Sequence, residues 1–385
     1  MKIIQLLYLL ILMSLAGCSG HTSMPEHFEN ISVSKRKSIS FAPYNLSAYN
    51  TFPSAGLYQN ADSILVYNVF NHSLLLMRFT QDTSIVENEF LLEDHGPEEI
   101  KIPQSILISN EHIILPQIYT VSVLDEMGVF LKSISLLKSP AFKDFSSPIF
   151  NFSHSFEMGN FITQYDPDKY TYYFFGKDVV SNNFGLFSLN ILNDTIIKLE
   201  DFYDKELLEK HEIKYSSEKI TMTKDDFPFI LYHDNKLIVS YFSSSKIDYF
   251  DLNSNNKFSL DIKTYRFNSE KNKPKPIPQG KKLSEALIIN EDWDNEVAFG
   301  KLNILPQNKG YYRLVKGPTI NGPKDFDIFL EIFDLNLTKK SESNLSHLNS
   351  DLGLLNFPVP SGIVVKAKNQ VSDDDFYYYK LSFKK

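Results

Sequence analysis

The sequence predicts an all-β protein in which similar antiparallel sheets repeat along the chain. Three observations support this fold class. Apolar runs of four to six residues, rich in β-branched and aromatic side chains, are separated by Asn, Asp, Gly and Pro. A strand that ends in Asp or Asn recurs five times along the chain. The composition, 43% hydrophobic and 22% charged, is typical of a globular protein with a large core.

The N-terminal segment has the three-part layout of a secretory signal peptide. Lys2 supplies a positive charge, residues 3–16 form an almost uninterrupted apolar run, and small residues lead to Cys18, the only cysteine among 385 residues. The run is shorter than the roughly 20 residues that a membrane-spanning helix needs. Leu15-Ala16-Gly17-Cys18 resembles a bacterial lipobox, which implies acylation of Cys18, cleavage after Gly17 and a lasting membrane anchor. An ordinary cleaved signal or an uncleaved membrane helix is the alternative.

The mature chain would carry 38 basic and 47 acidic residues, a net charge of about −9. This balance argues against nucleic acid or anionic lipid as an electrostatic partner. Ser19 stands where an aspartate favours inner-membrane retention in well-studied Gram-negative lipoproteins. We therefore expect the protein to be anchored in the outer membrane, and both the periplasmic and the external face are alternatives.

Residues 19–40 are polar, include Pro25 and the basic cluster Lys35-Arg36-Lys37, and show no sustained apolar period. The predicted organisation is a signal peptide over residues 1–17, a lipidated cysteine and flexible tether over 18–40, and a single domain over 41–385.

The repeat has a physical explanation, because Asp and Asn side chains bond nearby backbone amides and tolerate left-handed dihedral angles. The repeated Asx residues, meaning Asp or Asn, lie at intervals of 57, 65, 61 and 83 and are Asn68, Asp125, Asn190, Asp251 and Asp334. This spacing predicts a β-propeller with four-stranded blades of about 50 to 60 residues and one insertion. We expect the insertion to contain an extended, exposed loop over residues 268–280, where Lys271, Lys273 and Lys275 alternate with Pro274, Pro276 and Pro278.

Two further elements are predicted outside the repeat. Residues 204–212 favour a helix with Asp204 as N-cap and with Leu207, Leu208 and His211 on one side. Residues 281–288 are an ambiguous candidate for a further helix. Residues 376–383 read as the last strand, which we expect to close the ring by pairing with a strand between Ile39 and Tyr67.

Several segments together resemble a group of Gram-negative bacterial lipoproteins of unknown function that are expected to form six-bladed, TolB-like β-propellers. The segments are Tyr67-Asn68 with Asn71, Asp94-His95-Gly96-Pro97, Asp125-Glu126-Met127-Gly128, Tyr311-Tyr312-Arg313-Leu314-Val315 with residues 329–337, and Ser361-Gly362-Ile363-Val364-Val365. The resemblance implies the blade number and the envelope location, and it carries no reaction or ligand.

The search for catalytic and metal-binding motifs finds none of established spacing. His154-Ser155-Phe156-Glu157 reads as strand, where residues three apart point to opposite faces, so a metal site is not expected there. Tyr232-His233-Asp234 precedes a strand, and Asp234 is expected to start a turn rather than orient an imidazole.

Two acidic segments, Glu291-Asp292-Trp293-Asp294-Asn295-Glu296 and Asp373-Asp374-Asp375, supply the oxygen ligands that Ca²⁺ prefers but lack a fixed ligand spacing. We read both as solvated loops, with cation binding left open.

The predicted function is a lipid-anchored propeller of the cell envelope that binds a protein, peptide or glycan without catalysis. Cys18 is the only predicted site residue; no catalytic residue, metal ligand or cofactor is predicted. The alternative is an envelope hydrolase or lyase that acts on glycan or peptide from the propeller funnel. Converging titratable side chains would favour the enzyme, and an exposed apolar patch would favour the binding protein.

Overall fold

The computed structural model describes residues 31–47, 55–57, 62–80, 84–93, 96, 99–109, 111–146, 163–181, 183–216, 221–224, 228–278, 280–282, 285, 288–322 and 325–383. Six antiparallel sheets, each with four strand positions, are arranged as the blades of a propeller, and a seventh, two-stranded sheet lies in a connection between blades. The predicted all-β class and six-bladed ring are confirmed. First strands of neighbouring blades contact one another at the junctions of blades 1 and 2, 2 and 3, 3 and 4, and 6 and 1.

The chain enters the ring through β1 (Ile31–Val33) and β2 (Lys37–Ser40), which belong to the last blade. Blade 1 contains β3 (Ala55–Leu57), β4 (Ser63–Asn68), β5 (Ser73–Phe79) and β6 (Ser84–Leu91). Blade 2 contains β7 (Leu107–Ile108), β8 (His112–Pro116), β9 (Thr120–Asp125) and β10 (Phe130–Ser135). In blade 3, β11 (Phe145–Ser146) and β12 (Thr163–Asp166) both pair with β13 (Thr171–Asp178), and β14 (Phe184–Asn190) and β15 (Thr195–Lys198) follow.

The connection to blade 4 contains helix α1 (Lys205–His211) and a hairpin of β16 (Ile213–Ser216) and β17 (Thr221–Lys224). Blade 4 contains β18 (Pro228–His233), β19 (Lys236–Tyr241), β20 (Ile247–Asp251) and β21 (Asn256–Leu260). The short helix α2 (Glu291–Asp294) follows in the next connection. Blade 5 contains β22 (Ala298–Phe299) and β23 (Asn303–Ile304), both paired with β24 (Tyr311–Thr319), then β25 (Phe326–Phe333) and β26 (Lys339–Asn344). Blade 6 contains β27 (Leu352–Val359), β28 (Gly362–Ala367) and β29 (Asp375–Phe383).

The core lies between the blades, because each blade buries both of its faces. In β4, Ile64 and Val66 pack in a cluster shared with blade 6, whereas Leu65 and Tyr67 pack in a cluster shared with blade 2. Side chains alternate between the two faces of a strand, so a strand buried on both faces must be apolar throughout. This explains why the sequence shows continuous apolar runs rather than alternation.

Helix α1 confirms the predicted helix and its cap. The Asp204 carboxylate accepts the Leu207 backbone N–H at 2.9 Å, and Leu207, Leu208 and His211 are buried. A Ser, Thr, Asp or Asn at this position satisfies an amide that the first helical turn leaves free. No helix in the described part of the chain is long and apolar enough to cross a membrane.

Four of the five predicted Asx residues occupy equivalent positions. Asp125, Asn190 and Asp251 end the third strand of blades 2, 3 and 4, and Asp334 follows that of blade 5. Each accepts the backbone N–H two residues later, as in the 2.9 Å bond from Met127 to Asp125. Asn68 instead ends the second strand of blade 1, so the 57-residue interval is not a blade repeat. The predicted insertion is the connection of residues 261–297 between blades 4 and 5.

The final strand closes the ring, as predicted, although its partner begins earlier than expected. Ile31 pairs with Phe383 and Ile39 with Phe376, so β1 and β2 form the outer position of blade 6. The predicted tether over residues 18–40 is therefore wrong over residues 31–40, and the propeller starts before residue 41. The polar sequence of β1 and β2 reflects an outermost strand, which buries less of its surface than an inner one.

Replacing Phe376 with alanine should lower the free energy of unfolding by about 3–5 kcal/mol, because its fully buried ring stacks between Phe41 and Tyr378 at the seam of the ring. Phe258→Ala in the outer strand of blade 4, where the ring is 41% exposed, should cost much less. Chemical denaturation of both variants measures the difference. Equal losses of unfolding free energy in the two variants would show that the seam is not a critical junction. The same conclusion would follow if a chain lacking residues 376–385 melted like the full mature chain.

Candidate functional site: the upper face of the propeller

The order of strands divides the connections between two faces. Every blade is an antiparallel meander, so the turn between its second and third strands lies on the same face as the connection to the next blade. We call this face the upper face. The turns between first and second strands and between third and fourth strands lie on the opposite, lower face.

Three neighbouring blades present apolar pairs at the tips of their upper turns. The exposed side chains are Val69 and Phe70 in blade 1, Ile118 and Tyr119 in blade 2, and Val179 and Val180 in blade 3. Phe70 is 60% exposed and Val180 is 91% exposed. Residues 69–72, 117–119 and 179–183 contain no Lys, Arg, Asp or Glu. Adjacent uncharged apolar tips are typical of a surface that another molecule covers.

Side chains at the strand ends hold two of these tips. Asp178 accepts the backbone N–H groups of Val180 at 2.9 Å and Ser181 at 2.7 Å, and Asn68 accepts that of Phe70 at 3.1 Å. The bonds from Ser181 and Val180 lower the pKa of Asp178. The tips are therefore shaped locally and use the same Asx device as the repeat.

The upper turns of the other blades differ. Ile320 in blade 5 and Val371 in blade 6 are exposed, but acidic residues follow each of them in the same turn. In blade 4 the turn is covered by the following connection, since the Ser245 backbone N–H donates to the Ser269 carbonyl at 2.7 Å and the Lys271 backbone N–H donates to the Ser243 carbonyl at 2.8 Å.

The Lys/Pro segment is a docked element, which corrects the expectation of a wholly exposed loop. Lys271 is buried, and its ammonium lies 3.8 Å from the centre of the Trp293 ring and 4.7 Å from that of Phe242. Lys275 exchanges hydrogen bonds with Asn290 through its backbone N–H and carbonyl, at 2.9 and 3.1 Å. Cation–π contact and backbone pairing thus fix the segment, while Lys273, Pro276 and Pro278 remain exposed.

His211 links the two long connections of the upper face. Its Nε2 lies 3.0 Å from Glu270 Oε1, Lys210 Nζ contacts the same oxygen at 2.6 Å, and the Tyr215 hydroxyl donates to the Lys281 carbonyl at 3.0 Å. Burial lowers the pKa of His211, although the Glu270 carboxylate opposes this. The imidazole has no exposed surface, so this cluster joins the connections rather than meeting a substrate.

The first acidic segment begins with helix α2, which corrects the expectation of a solvated loop there, and both segments have structural partners. Glu291, Asp292 and Asp294 lie in the first turn of α2, where carboxylates favour a helix, and Asp292 pairs with Lys275 at 2.8 Å. The Asp374 carbonyl accepts the Phe41 N–H, and Asp375 pairs with Ser40 in the closing strand. Among the described residues, no three His, Cys, Asp or Glu side chains are grouped closely enough to hold a metal ion.

The remaining predicted positions lie elsewhere. Asp234 and Asn235 form the left-handed turn between β18 and β19 on the lower face, as predicted for Asp234, and His233 Nδ1 lies 3.0 Å from the Tyr311 hydroxyl. Cys18, residues 154–157 and, of the 94–97 segment, all but Gly96 lie outside the described residues.

The sequence patterns do not predict the buried cations of blade 5. Arg313 Nε donates to Glu331 Oε2 at 2.5 Å, and Lys339 bonds Glu331 and Glu342. Burial alone would raise the pKa of Glu331, but the adjacent cations lower it. Charged residues inside otherwise apolar strands, such as Arg313 in Tyr-Tyr-Arg-Leu-Val, were the available signal.

A cleft of about 370 Å³ adjoins this network at the outer junction of blades 4 and 5, lined by residues 259–263, Tyr265 and residues 336–339. The Lys339 ammonium has three acceptors, the third being the Lys263 carbonyl at 3.1 Å. The Lys339 ammonium is therefore already bonded by acceptors of the protein itself.

Lys316 and Lys301 are also buried, and burial lowers their pKa values to about 8 and about 7. The Lys316 ammonium donates to the carbonyls of Asp294 and Glu296, both at 3.2 Å. It thereby attaches α2 to blade 5.

The comparisons with known proteins show the fold. The sequence matches no known family model and no curated protein. A member of the DUF4221 family from Bacteroides vulgatus is similar in structure with a TM-score of 0.68 and 11% identity, over 92% of this chain and 98% of that one. A protein of Bacteroides fragilis described as exported is similar with a TM-score of 0.51 and 10% identity, over 93% and 97%. Both likenesses support a propeller and, at this identity, nothing more.

Replacing Lys316 with methionine should remove part of the pH dependence of stability. The pKa of this lysine is about 8 in the folded protein and about 10.5 in the unfolded chain. Between these pH values the unfolded state binds more protons than the folded state, so the free energy of unfolding rises with pH. Between pH 7 and pH 9 the wild type should gain about 1 kcal/mol from this group, and Lys316→Met should lose that gain. Urea denaturation at both pH values measures it, with the exposed Lys340→Met as control. An unchanged slope in Lys316→Met would contradict the assignment.

Proposed function

We propose that this chain is a non-catalytic binding protein of the bacterial cell envelope, anchored by lipid on Cys18, whose upper face binds a partner protein. The observation that carries the proposal is the set of uncharged apolar tips on blades 1, 2 and 3. Large apolar side chains at fixed positions supply most of the binding energy in protein interfaces. The tips belong to three adjacent blades and lie on one face of the ring.

The sequence supports the envelope location, because residues 1–18 have the layout of a lipoprotein signal. The structurally similar Bacteroides fragilis protein is itself described as exported. Absence of an aspartate after Cys18 favours the outer membrane.

The described residues offer no observation that favours the hydrolase or lyase alternative. One group of titratable side chains on the upper face joins His211, Glu270 and Lys271, yet His211 and Lys271 are buried.

In a second group the Tyr241 hydroxyl donates to Asp248, and both of these residues are buried. Lys246 contacts Asp204, the cap of α1, at 2.6 Å in the same group, so its charge is paired within the fold. A general acid or base must come within hydrogen-bond reach of its substrate, directly or through one water.

The double variant Phe70→Ser and Val180→Ser should weaken capture of the partner by about tenfold or more, because two apolar anchors are lost. The test uses the mature chain with Cys18→Ser, so that lipid does not contribute, and quantitative mass spectrometry of detergent-solubilised envelope proteins. The matched control is Met127→Ser with Leu192→Ser, which removes two exposed apolar residues of the lower face. Equal recovery with both double variants, or turnover of an envelope glycan or peptide, would contradict the proposal.

Substitution of Cys18 by serine should abolish partitioning into detergent and leave the precursor uncut or misprocessed, since the thiol that accepts the lipid is absent. Phase partitioning and the mass of the intact protein measure both effects. A variant that partitions normally and has the mass expected for correct processing would show that Cys18 is not the anchor.

A further inference from the structure

The ring closure determines the face from which the N-terminal segment leaves the propeller. Third strands run from the upper to the lower face, so β29 ends on the lower face. Ile31 pairs with Phe383 at that end, and Ser40 pairs with Asp375 at the other. The chain therefore enters the ring from the lower face, at a position equivalent to a turn between third and fourth strands.

The length of chain between Cys18 and Ile31 limits which face lies near the anchor. Its thirteen steps span at most about 45 Å and, as a flexible coil, about 20 Å on average. A nine-residue strand such as β29 is roughly 30 Å long, which is the distance from the lower to the upper face. An anchor on Cys18 thus holds the lower face closer to the membrane.

The lower face carries its own apolar tips at the turns between third and fourth strands. The exposed side chains are Met127 and Val129 in blade 2, Leu192 in blade 3 and Leu335 in blade 5. These turns occupy the same position in their blades as the point where the N-terminal segment enters blade 6. The tips therefore lie on the face at which the N-terminal segment enters the ring.

Backbone N–H groups of these tips already donate to side chains of the protein, which lowers the cost of moving them into an apolar environment. Asp125 accepts the N–H groups of Met127 at 2.9 Å and Val129 at 2.8 Å, and Asn190 accepts that of Leu192 at 3.1 Å. Amides without a partner would be costly to remove from water.

The charges beside the tips are paired as well. Lys132 contacts Asp194 at 2.7 Å, and Lys340 contacts Asp334 at 2.8 Å. Glu126 is exposed next to Met127, so this tip can enter only as far as the headgroup boundary.

We propose that the lower face rests on the membrane that holds Cys18, with Met127, Val129, Leu192 and Leu335 inserted at the boundary between headgroups and acyl chains. This proposal depends on the lipid anchor of the proposed function. It directs the apolar tips of the upper face away from the bilayer, toward a protein partner.

The test places a fluorophore that senses polarity on single cysteines of the lipidated full chain, in vesicles of phosphatidylethanolamine and phosphatidylglycerol. Cys18 is the only native cysteine and its thiol would carry lipid, so Met127→Cys or Leu192→Cys supplies the only free thiol. Val180→Cys on the upper face is the matched control, because all three positions are well exposed. We expect the lower-face probes to shift their emission to the blue and to lose most of it to a spin-labelled lipid. The Val180 probe should instead be quenched by aqueous iodide.

Two failures are distinguishable by flotation. The anchor stands if the wild type floats with vesicles and Cys18→Ser does not. In that case the orientation is overturned if the Met127 and Leu192 probes remain in water, or if the Val180 probe contacts lipid. If the wild type does not float, or Cys18→Ser floats equally well, the anchor of the proposed function is overturned together with the orientation.

Discussion

Burial of both faces of every blade is the constraint on which the rest of the structure depends. Ile64 and Val66 need blade 6 as much as Leu65 and Tyr67 need blade 2, so no blade can be left without a neighbour on either side. A row of such sheets would expose an apolar face at each end, and only a closed ring removes both ends. The chain achieves this by giving its first strands to its last blade, where Ile39 and Phe376 meet across the seam.

This constraint also explains which features could be predicted from the sequence. Strands that are buried on both faces are apolar throughout, and Asx residues mark the turns after them, so the repeat and the helix capped by Asp204 were recognisable. β1 and β2 were missed because an outer strand buries little, and Lys35-Arg36-Lys37 separates Val33 from Ile39. The docking of Lys271 on Trp293 could not be predicted either, because the two residues lie in different parts of a long connection and composition does not show which surfaces meet.

The buried charges of blade 5 serve the pairing of strands more than net stability. Arg313 and Glu331 lie directly opposite each other on β24 and β25, and both are fully buried. Removing two charges from water costs nearly as much as their attraction returns, so such a pair adds little net stability. Shifting β24 against β25 by one residue would separate Arg313 from Glu331 and leave the guanidinium buried without its carboxylate, which is far more costly. The pair therefore specifies one register within strands whose apolar residues alone would allow others.

The two faces of the ring use one structural device for two purposes. On both faces an Asx side chain at the end of a strand bonds the amides of the next turn, which leaves an apolar side chain exposed at the tip without a costly free N–H. The tips lie beyond the packed faces of the blades, so their identity can change without disturbing the core. Function in this propeller can thus reside in turn residues, with the anchor selecting the face that meets the membrane and leaving the other face for a partner.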